Sequence, residues 1–301
     1  MSERQTPPVA QRAAAVVAGL TAAPLPPGLY LVATPIGNLA DVTLRALSVL
    51  QRADLICCED TRHSRTLLSH YGISRPLRAY HEHSAERERP HLLGELALGK
   101  SIALISDAGT PLVSDPGYKL VRAALDAGHA VVSLPGPSAV LAALASTGLP
   151  TDTFVFAGFL PARGAARLAR VRELQAVPAT LVFFESPGRL SASLQDIAAA
   201  LGDREAAVAR ELTKLHEEVK RGTPAELALW AQESAPKGEV VIVVGPPRAE
   251  PATDAEILAQ LETLLGDTSL RDAAKAVAER LGVPKARVYD LGIGLKQRQR
   301  K

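Results

Sequence analysis

The chain alternates short apolar runs with longer amphipathic ones. Runs at 29–34, 53–58, 101–106 and 129–134 are dominated by leucine, isoleucine, valine and alanine, the pattern of strands buried on both faces. Between them, stretches such as 43–51 and 117–127 space their apolar residues at helical intervals. A second set of strands is predicted at 154–158, 179–184, 206–209 and 239–244. Strands alternating with helices predict an α/β fold with a largely parallel sheet. The turn Leu149-Pro150-Thr151-Asp152 separates the two sets. Further on, Pro246, Pro247 and Pro251 form a stiff linker. The stretches 254–265 and 269–281 read as two helices. Gly282-Val283-Pro284 is a turn, and Lys285 opens a third helical pattern, so the tail has helix-turn-helix spacing. Gly292 and Gly294 should fray that third helix. The predicted organisation is an extension at 1–27, α/β domains at 28–149 and 150–246, and a helical tail at 254–301.

Four of the strands end in loops of one kind. The strand at 101–105 runs into Ser106-Asp107-Ala108-Gly109-Thr110-Pro111, and that at 29–34 into Pro35-Ile36-Gly37-Asn38-Leu39. The strand at 130–134 runs into Pro135-Gly136-Pro137-Ser138-Ala139. Phe183-Phe184-Glu185 is followed by Ser186-Pro187-Gly188-Arg189. Open α/β sheets bind ligands at the carboxyl ends of their strands. Four such loops predict a cleft walled by backbone amides and small residues.

Composition adds limits. The 301 residues are 47% hydrophobic and 22% charged, values of a globular protein with room for two domains. No apolar run approaches the ~20 residues of a membrane helix. The apolar stretch 13–20 lacks the flanks of a signal peptide, and the Pro- and Ala-rich segment 1–27 reads as a disordered extension. A net charge of +2 neither requires nor excludes nucleic acid. Basic residues cluster locally, at Arg163, Arg167, Arg170 and Arg172 and again at Lys285, Arg287, Lys296, Arg298, Arg300 and Lys301. Cys57 and Cys58 are adjacent on a strand and point to opposite faces, so they read as buried thiols of a cytoplasmic protein. His81, His83 and His91 have no ordered metal-ligand spacing, and no metal is expected.

Gly94-Glu95-Leu96-Ala97-Leu98-Gly99-Lys100-Ser101 matches the letters of a phosphate-binding P-loop. That chemistry needs a strand before the loop and a helix after it. Here the predicted order is helix then strand, so nucleoside triphosphate hydrolysis is not expected.

The loops at 32–39, 107–111 and 135–139, with Glu59-Asp60-Thr61-Arg62, Phe184-Glu185-Ser186-Pro187 and Arg210-Glu211-Leu212-Thr213-Lys214, occur in an ordered set over roughly 28–245. In that order they resemble the small-subunit ribosomal RNA methyltransferases of the tetrapyrrole methylase superfamily. The resemblance implies two αβα domains with a small C-terminal helical domain. It implies S-adenosylmethionine as cofactor and the ribose 2′-hydroxyl of a cytidine in the decoding region of 16S ribosomal RNA as acceptor. The partner would be that RNA or the assembled small ribosomal subunit, and the assembly a homodimer. Carried over, Pro35, Gly37, Asp107, Gly109, Thr110, Pro111, Ser138 and Ala139 would line the cofactor.

A ribose hydroxyl is a weak nucleophile, and a group must accept its proton. Asp60, His83, Glu185 and Glu217 are the candidates, with Arg62 and Lys214 available to bind phosphate or to lower the hydroxyl's pKa. Aromatic residues make up 4% of the chain. That is thin for base-stacking platforms, so RNA recognition would rest on shape, phosphate contacts and the tail. Two other readings remain open at this point. One is a methyltransferase for a corrin-like ring, which needs no basic tail. The other is a non-enzymatic DNA-binding regulator, which would bind ligand without turnover.

Overall fold

The structure is a computed structural model that describes residues 8–82, 84–248, 252–266 and 268–299. The chain divides into two compact units, Met1–Pro247 and Arg248–Lys301.

The first unit begins with helix α1 (Val9–Thr21), followed by strand β1 (Gly28–Val32). Next come α2 (Leu44–Arg52), β2 (Leu55–Cys58), α3 (Thr61–His70), β3 (Leu77–Ala79), α4 (Ala85–Ala97) and β4 (Ser101–Ile105). The set closes with α5 (Tyr118–Asp126), β5 (Val131–Leu134) and α6 (Ala139–Thr147). These five strands form one wholly parallel sheet in the order β3-β2-β4-β1-β5. Strands β1, β2 and β4 are buried throughout, as their unbroken apolar runs predicted. Cys57 and Cys58 are free and buried, and they enter the cores on opposite faces of the sheet. Burial and the neighbouring Cys58 push the Cys57 thiol up to about 12, so it is inert.

A second sheet follows, built from β6 (Phe154–Phe159), β7 (Thr180–Glu185), β8 (Ala206–Arg210), β9 (Glu218–Gly222) and β10 (Val240–Val244). Its helices are α7 (Gly164–Glu173), α8 (Leu190–Leu201) and α9 (Pro224–Ser234). The order is β6-β7-β10-β8-β9, and only β6 and β7 run parallel. The expectation of a largely parallel sheet therefore holds for the first sheet and fails for the second. The link from β8 to β9 is too short for the dozen or more residues that a parallel crossover needs. Strand β9 is charged and lies at the sheet edge, where polar residues limit unwanted pairing. Its polarity hid it in the sequence.

The two sheets share a core. Ile36, from the loop after β1, and Val140, Ala143 and Leu144 of α6 pack with Val182, Ala209, Val241 and Val243 of the second sheet. Arg221 on β9 reinforces the join by donating from Nε to the Thr147 carbonyl at 2.7 Å.

One segment of this unit departs from expectation and one bears it out. Residues Val9–Thr21, expected to be disordered, form a helix with no buried residue. Six alanines and leucines in thirteen positions give it high intrinsic helix propensity. The P-loop look-alike behaves as predicted. Gly94 lies inside α4, Gly99 turns the chain at φ +79, and Lys100 pairs with Glu95 just before β4.

The second unit packs α10 (Asp254–Leu265), α11 (Leu270–Leu281) and α12 (Lys285–Gln299) around Ile257, Leu261, Ala274, Val277 and Val288. Thr253 and Glu256 form a reciprocal cap that starts α10, and Gly282 ends α11 at φ +63. The predicted fraying of the third helix does not occur, since α12 runs unbroken past both glycines. A Cβ on Gly292 would run into Leu270 Cδ1. The missing side chain lets α11 and α12 approach closely, and that packing outweighs glycine's poor helix propensity.

Candidate active site

The loops after β1, β4 and β5 meet at the carboxyl edge of the first sheet. Thr34 and Gly109 exchange backbone hydrogen bonds, at 2.9 and 3.0 Å. The Thr34 hydroxyl donates to the Ser106 carbonyl at 2.9 Å, and the Thr110 hydroxyl to the Pro137 carbonyl at 3.1 Å. Gly109 has φ +84, and a Cβ there would stand 3.2 Å from Ile36 Cγ2. Glycine is needed for that turn. Ser138 caps α6 by accepting from the Leu141 N–H at 3.4 Å. Beyond Pro111 the loop is strained, with Leu112 and Ser114 at φ 73 and 63. Opposite it, the turn after β8 is strained at Glu211 and Thr213, with φ 49 and 67.

Between these loops lies a cavity of about 420 Å³. Its walls include Ile36, Asp107, Asp115 and Ala139 from the first half and Phe184 and Val241 from the second. Phe159 and Phe184 meet edge to face at 5.5 Å in its lining. Asp115 Oδ2 is buried and makes no hydrogen bond. Burial raises the Asp115 carboxyl above its ordinary range, Asp107 adds to the rise, and the Ser106 hydroxyl partly opposes it. Glu59 is raised too, by burial first and then by Asp107 and Asp115. The cleft is thus rich in carboxylates.

A second cavity, of about 240 Å³, lies on the other side of Asp107. Thr34, Pro35, Gly37, His63, Ser64 and Leu67 contribute to its lining. The Ser64 hydroxyl is buried there without a hydrogen bond. It stands near enough to the Cys58 thiol to offset part of the rise that burial causes in it.

The predicted cofactor residues divide among these features. Asp107 and Ala139 line the larger cavity, while Pro35, Gly37 and again Asp107 line the smaller one. Gly109, Thr110 and Ser138 tie the loops together from behind, and Pro111 is buried beside them. Sequence reasoning missed Asp115. Its signal was Asp115-Pro116-Gly117, which repeats the Asp, Gly and Pro chemistry of 107–111 a few residues later.

The predicted catalytic residues are placed as follows. Asp60 caps α3 through the Arg62 N–H at 2.8 Å, pairs with the Arg62 guanidinium at 2.9 Å, and donates its own N–H to Asp107 Oδ1 at 3.1 Å. The Arg62 hydrogen bonds hold the Asp60 carboxyl down to about 2, which makes it a weak proton acceptor. Arg62 is 87% exposed. Glu217 accepts from the Thr213 N–H at 2.6 Å and braces the strained turn. Lys214 reaches Glu211 at 2.9 Å and Glu239 at 3.0 Å. Burial lowers its pKa, but the two carboxylates outweigh that and hold the ammonium above its ordinary value. Glu185 is committed to structure, accepting from the Ser186 N–H, Arg189 Nε and the Ser193 hydroxyl at 2.7, 2.8 and 2.6 Å. His83 lies outside the described residues.

The arginine cluster on α7 is not a free basic patch. Arg167 is buried against Asp196 at 2.6 Å, and Arg170 pairs with Glu173 at 2.8 Å. Among the described residues no group of three or more His, Cys, Asp or Glu is placed to hold a metal, and no helix is long and apolar enough to cross a membrane.

Paired α/β halves with a cleft between the strand-end loops define a class. Residues 28–228 match the family described as Tetrapyrrole (Corrin/Porphyrin) Methylases, and the chain belongs to that S-adenosylmethionine-dependent family. Residues 251–296 match the RsmI C-terminal HTH domain. The ribosomal RNA small subunit methyltransferase I of Mesorhizobium japonicum is 54% identical over 272 residues, covering 90% of this chain and 92% of that protein. The protein of the same name from Escherichia coli O157:H7 is 48% identical over 265 residues, covering 87% and 93%. Within the tetrapyrrole methylases, the chain therefore belongs to the ribosomal RNA small subunit methyltransferase I family. A solved structure of uroporphyrin-III C-methyl transferase from Thermus thermophilus, complexed with S-adenyl homocysteine, shares the fold. Its TM-score is 0.51 at 21% identity, over 72% of this chain and 97% of that one.

Proposed function

We propose that this chain methylates the ribose 2′-hydroxyl of a cytidine in the decoding region of small-subunit ribosomal RNA, with S-adenosylmethionine as donor. The observation that carries the reading is the cleft cavity of about 420 Å³ between the two halves, in a chain similar along most of its length to small-subunit RNA methyltransferases. Its size is that of a whole-ligand pocket.

The residues fit the donor. Ile36, Ala139, Phe184 and Val241 supply apolar walls, and Asp107 and Asp115 supply negative charge. The buried, unpartnered Asp115 Oδ2 offers an acceptor to a cationic ligand. When bound, the cofactor supplies an electrophilic methyl group on a sulfonium. Asp107, Asp115 and Ala139 would hold it directly, with Gly109, Thr110, Pro111 and Ser138 fixing the loops that do so. Pro35 and Gly37 would form the adjoining wall.

The protein's own contribution is alignment and exclusion of water. Ile36, Ala139, Val241 and the Phe159–Phe184 pair give the cleft apolar surface that a bound donor would cover. Arg62, largely exposed, would neutralise RNA phosphate, whereas Lys214 is engaged by Glu211 and Glu239. The carboxylates of Asp107 and Asp115, which line the cleft, would take the proton released by the hydroxyl. The raised value of Asp115 makes it a better acceptor than Asp60. Asp60 acts as an organiser, through its bonds to Asp107 and Arg62.

Divisions at 28–149, 150–246 and 254–301 fit this reading, with the cleft between the first two and a docking tail in the third. A cytoplasmic homodimer is the expected state, and sedimentation of the pure chain measures it. The test of function is transfer of labelled methyl groups to small ribosomal subunits lacking the modification, followed by mapping of the product. Label on the 2′-oxygen of a single cytidine is expected. Label on a base, or only on a corrin-like ring, would overturn the reading.

A further inference from the structure

The smaller cavity adjoins the one that would hold the donor, and three observations give it a role of its own. Asp107 lines both cavities, so an occupant of the smaller one sits next to the donor's cavity. The smaller cavity, about 240 Å³, falls below the ~300 Å³ at which pockets for whole ligands begin. It suits one flat fragment of a larger molecule. Its lining pairs apolar faces with hydrogen-bonding groups. Pro35, Leu39 and Leu67 can cover the faces of a ring, and His63 can stack on it. Ser64 is 2% exposed, and its hydroxyl has no hydrogen bond beyond a contact with the Cys58 thiol, a weak acceptor. A buried hydroxyl so poorly satisfied is costly unless a ligand satisfies it.

The surroundings favour a polyanion over a neutral metabolite. Arg62 and Arg65 project from α3 at exposed positions, and α3 also supplies His63, Ser64, Thr66 and Leu67 to the cavity. The bond from the Asp60 N–H to Asp107 Oδ1 fixes the start of α3 to the wall between the cavities. Helix and partition therefore hold one geometry.

We propose that the smaller cavity receives the base of one unstacked RNA nucleotide, with its ribose against Asp107 and its flanking phosphates at Arg62 and Arg65. This rests on the reading of the chain as an RNA 2′-O-methyltransferase and places the acceptor within it. Single-stranded RNA is read by splaying out bases in this manner. The Ser64 hydroxyl then contacts the polar edge of the base, and the shared Asp107 wall brings the sugar to the donor side.

The test uses the full chain and two variants. Thr66 lines the cavity from an exposed position on α3, so Thr66→Trp fills the cavity without entering the core. It should lower kcat/KM for small ribosomal subunits at least about tenfold and leave the calorimetric Kd for S-adenosylmethionine within about twofold. Ser64→Ala removes the hydroxyl and adds no bulk to the buried site. It should keep or raise Tm while lowering kcat/KM by about three- to tenfold, the effect of one hydrogen bond. A purely structural Ser64 would give neutral or higher Tm with unchanged kcat/KM, and that result would overturn the proposal. Unchanged kcat/KM in a folded Thr66→Trp protein would do the same. A tenfold weaker cofactor Kd in Thr66→Trp would assign the cavity to the donor and also overturn it. Failure of the wild-type chain to label ribosomal RNA is a separate result, visible without any variant, and the proposal would fall with the function it rests on.

Discussion

Lys214 lies across Gly37, so that a Cβ built on Gly37 would stand 2.5 Å from Lys214 Cγ and 2.7 Å from its Cε. Gly37 belongs to the loop after β1 and Lys214 to the strained turn after β8, so the contact joins the two walls of the cleft. Lys214 Nζ is held in place by Glu211 and Glu239, and Glu239 lines the larger cavity. Gly37→Ala should push the lysine off both carboxylates and open the cleft. Cofactor affinity is expected to fall about tenfold, equivalent to about 1.4 kcal/mol, as read by calorimetry. In a Lys214→Ala background the same glycine change should cost far less, because the clashing atoms are gone. Equal losses in the two backgrounds would show that the contact plays no part.

Asp115 is expected to trade stability for function. Its carboxyl is raised above the ordinary value near 3.8 by burial, and then by Asp107. Ionising Asp115 therefore costs more in the folded protein than in the unfolded chain, and that cost is fully present at neutral pH. It is relieved as pH falls through the raised folded value towards the ordinary one. Asp115→Asn should raise Tm at pH 7, and the gain should shrink as pH approaches 4. The same change should weaken cofactor binding by removing a negative wall. A melting series against pH, run with calorimetry at pH 7, checks both halves. A lower Tm at pH 7 would mean that Asp115 is a structural anchor.

The two glycines of α12 should respond to alanine with opposite signs. Propensity alone favours alanine in a helix interior by about 1 kcal/mol. Gly294 has nothing within 4 Å of a built Cβ, so Gly294→Ala should stabilise the tail by roughly that amount. At Gly292 the Cβ would meet Leu270, so Gly292→Ala should separate α11 from α12. Hydrogen exchange across 270–296 in the full chain reads both effects. Slower exchange in Gly294→Ala and faster exchange in Gly292→Ala are expected. Slower exchange in both would remove the packing role of Gly292.

What could be read in the sequence was what the backbone announces. Pro and Gly at strand ends marked the loops at 35–39, 107–111 and 135–139, because such turns demand those residue types wherever they occur. Unbroken apolar runs marked β1, β4 and β10 for the same kind of reason. Side-chain partnerships across distance could not be read. Arg167 looked like part of a basic face, but Asp196 neutralises it from the next helix. Glu185 looked like a base, but Arg189 and Ser193 engage it. Strand β9 is absent from the predicted strands, because its sequence Glu-Val-Lys-Arg-Gly carries no apolar run. Asp115 and Ser64 became visible only when their oxygens proved to be buried and unpartnered.

The tail provides the last prediction. Residues of the larger cavity fall between Ile36 and Val241, within the first compact unit. Deleting 248–301 should therefore leave the calorimetric affinity for S-adenosylmethionine unchanged. The deleted segment ends in a basic run, with Lys285, Arg287, Lys296, Arg298, Arg300 and Lys301 against Asp290 alone. Arg287 is partly neutralised by Asp254 at 2.6 Å, while Lys285 and Lys296 are exposed. Basic side chains act on RNA by neutralising phosphate, and salt screens the effect. Truncation should weaken binding to small ribosomal subunits and flatten its dependence on salt, as measured by filter binding across a salt series. Arg167 and Arg170 of α7 are already paired, so that cluster leaves Arg172 of α7 and Arg163 just before it as replacements. A truncated chain that binds subunits with the same affinity and the same salt slope would make the tail a structural module and move RNA docking to Arg62 and Arg65 on α3.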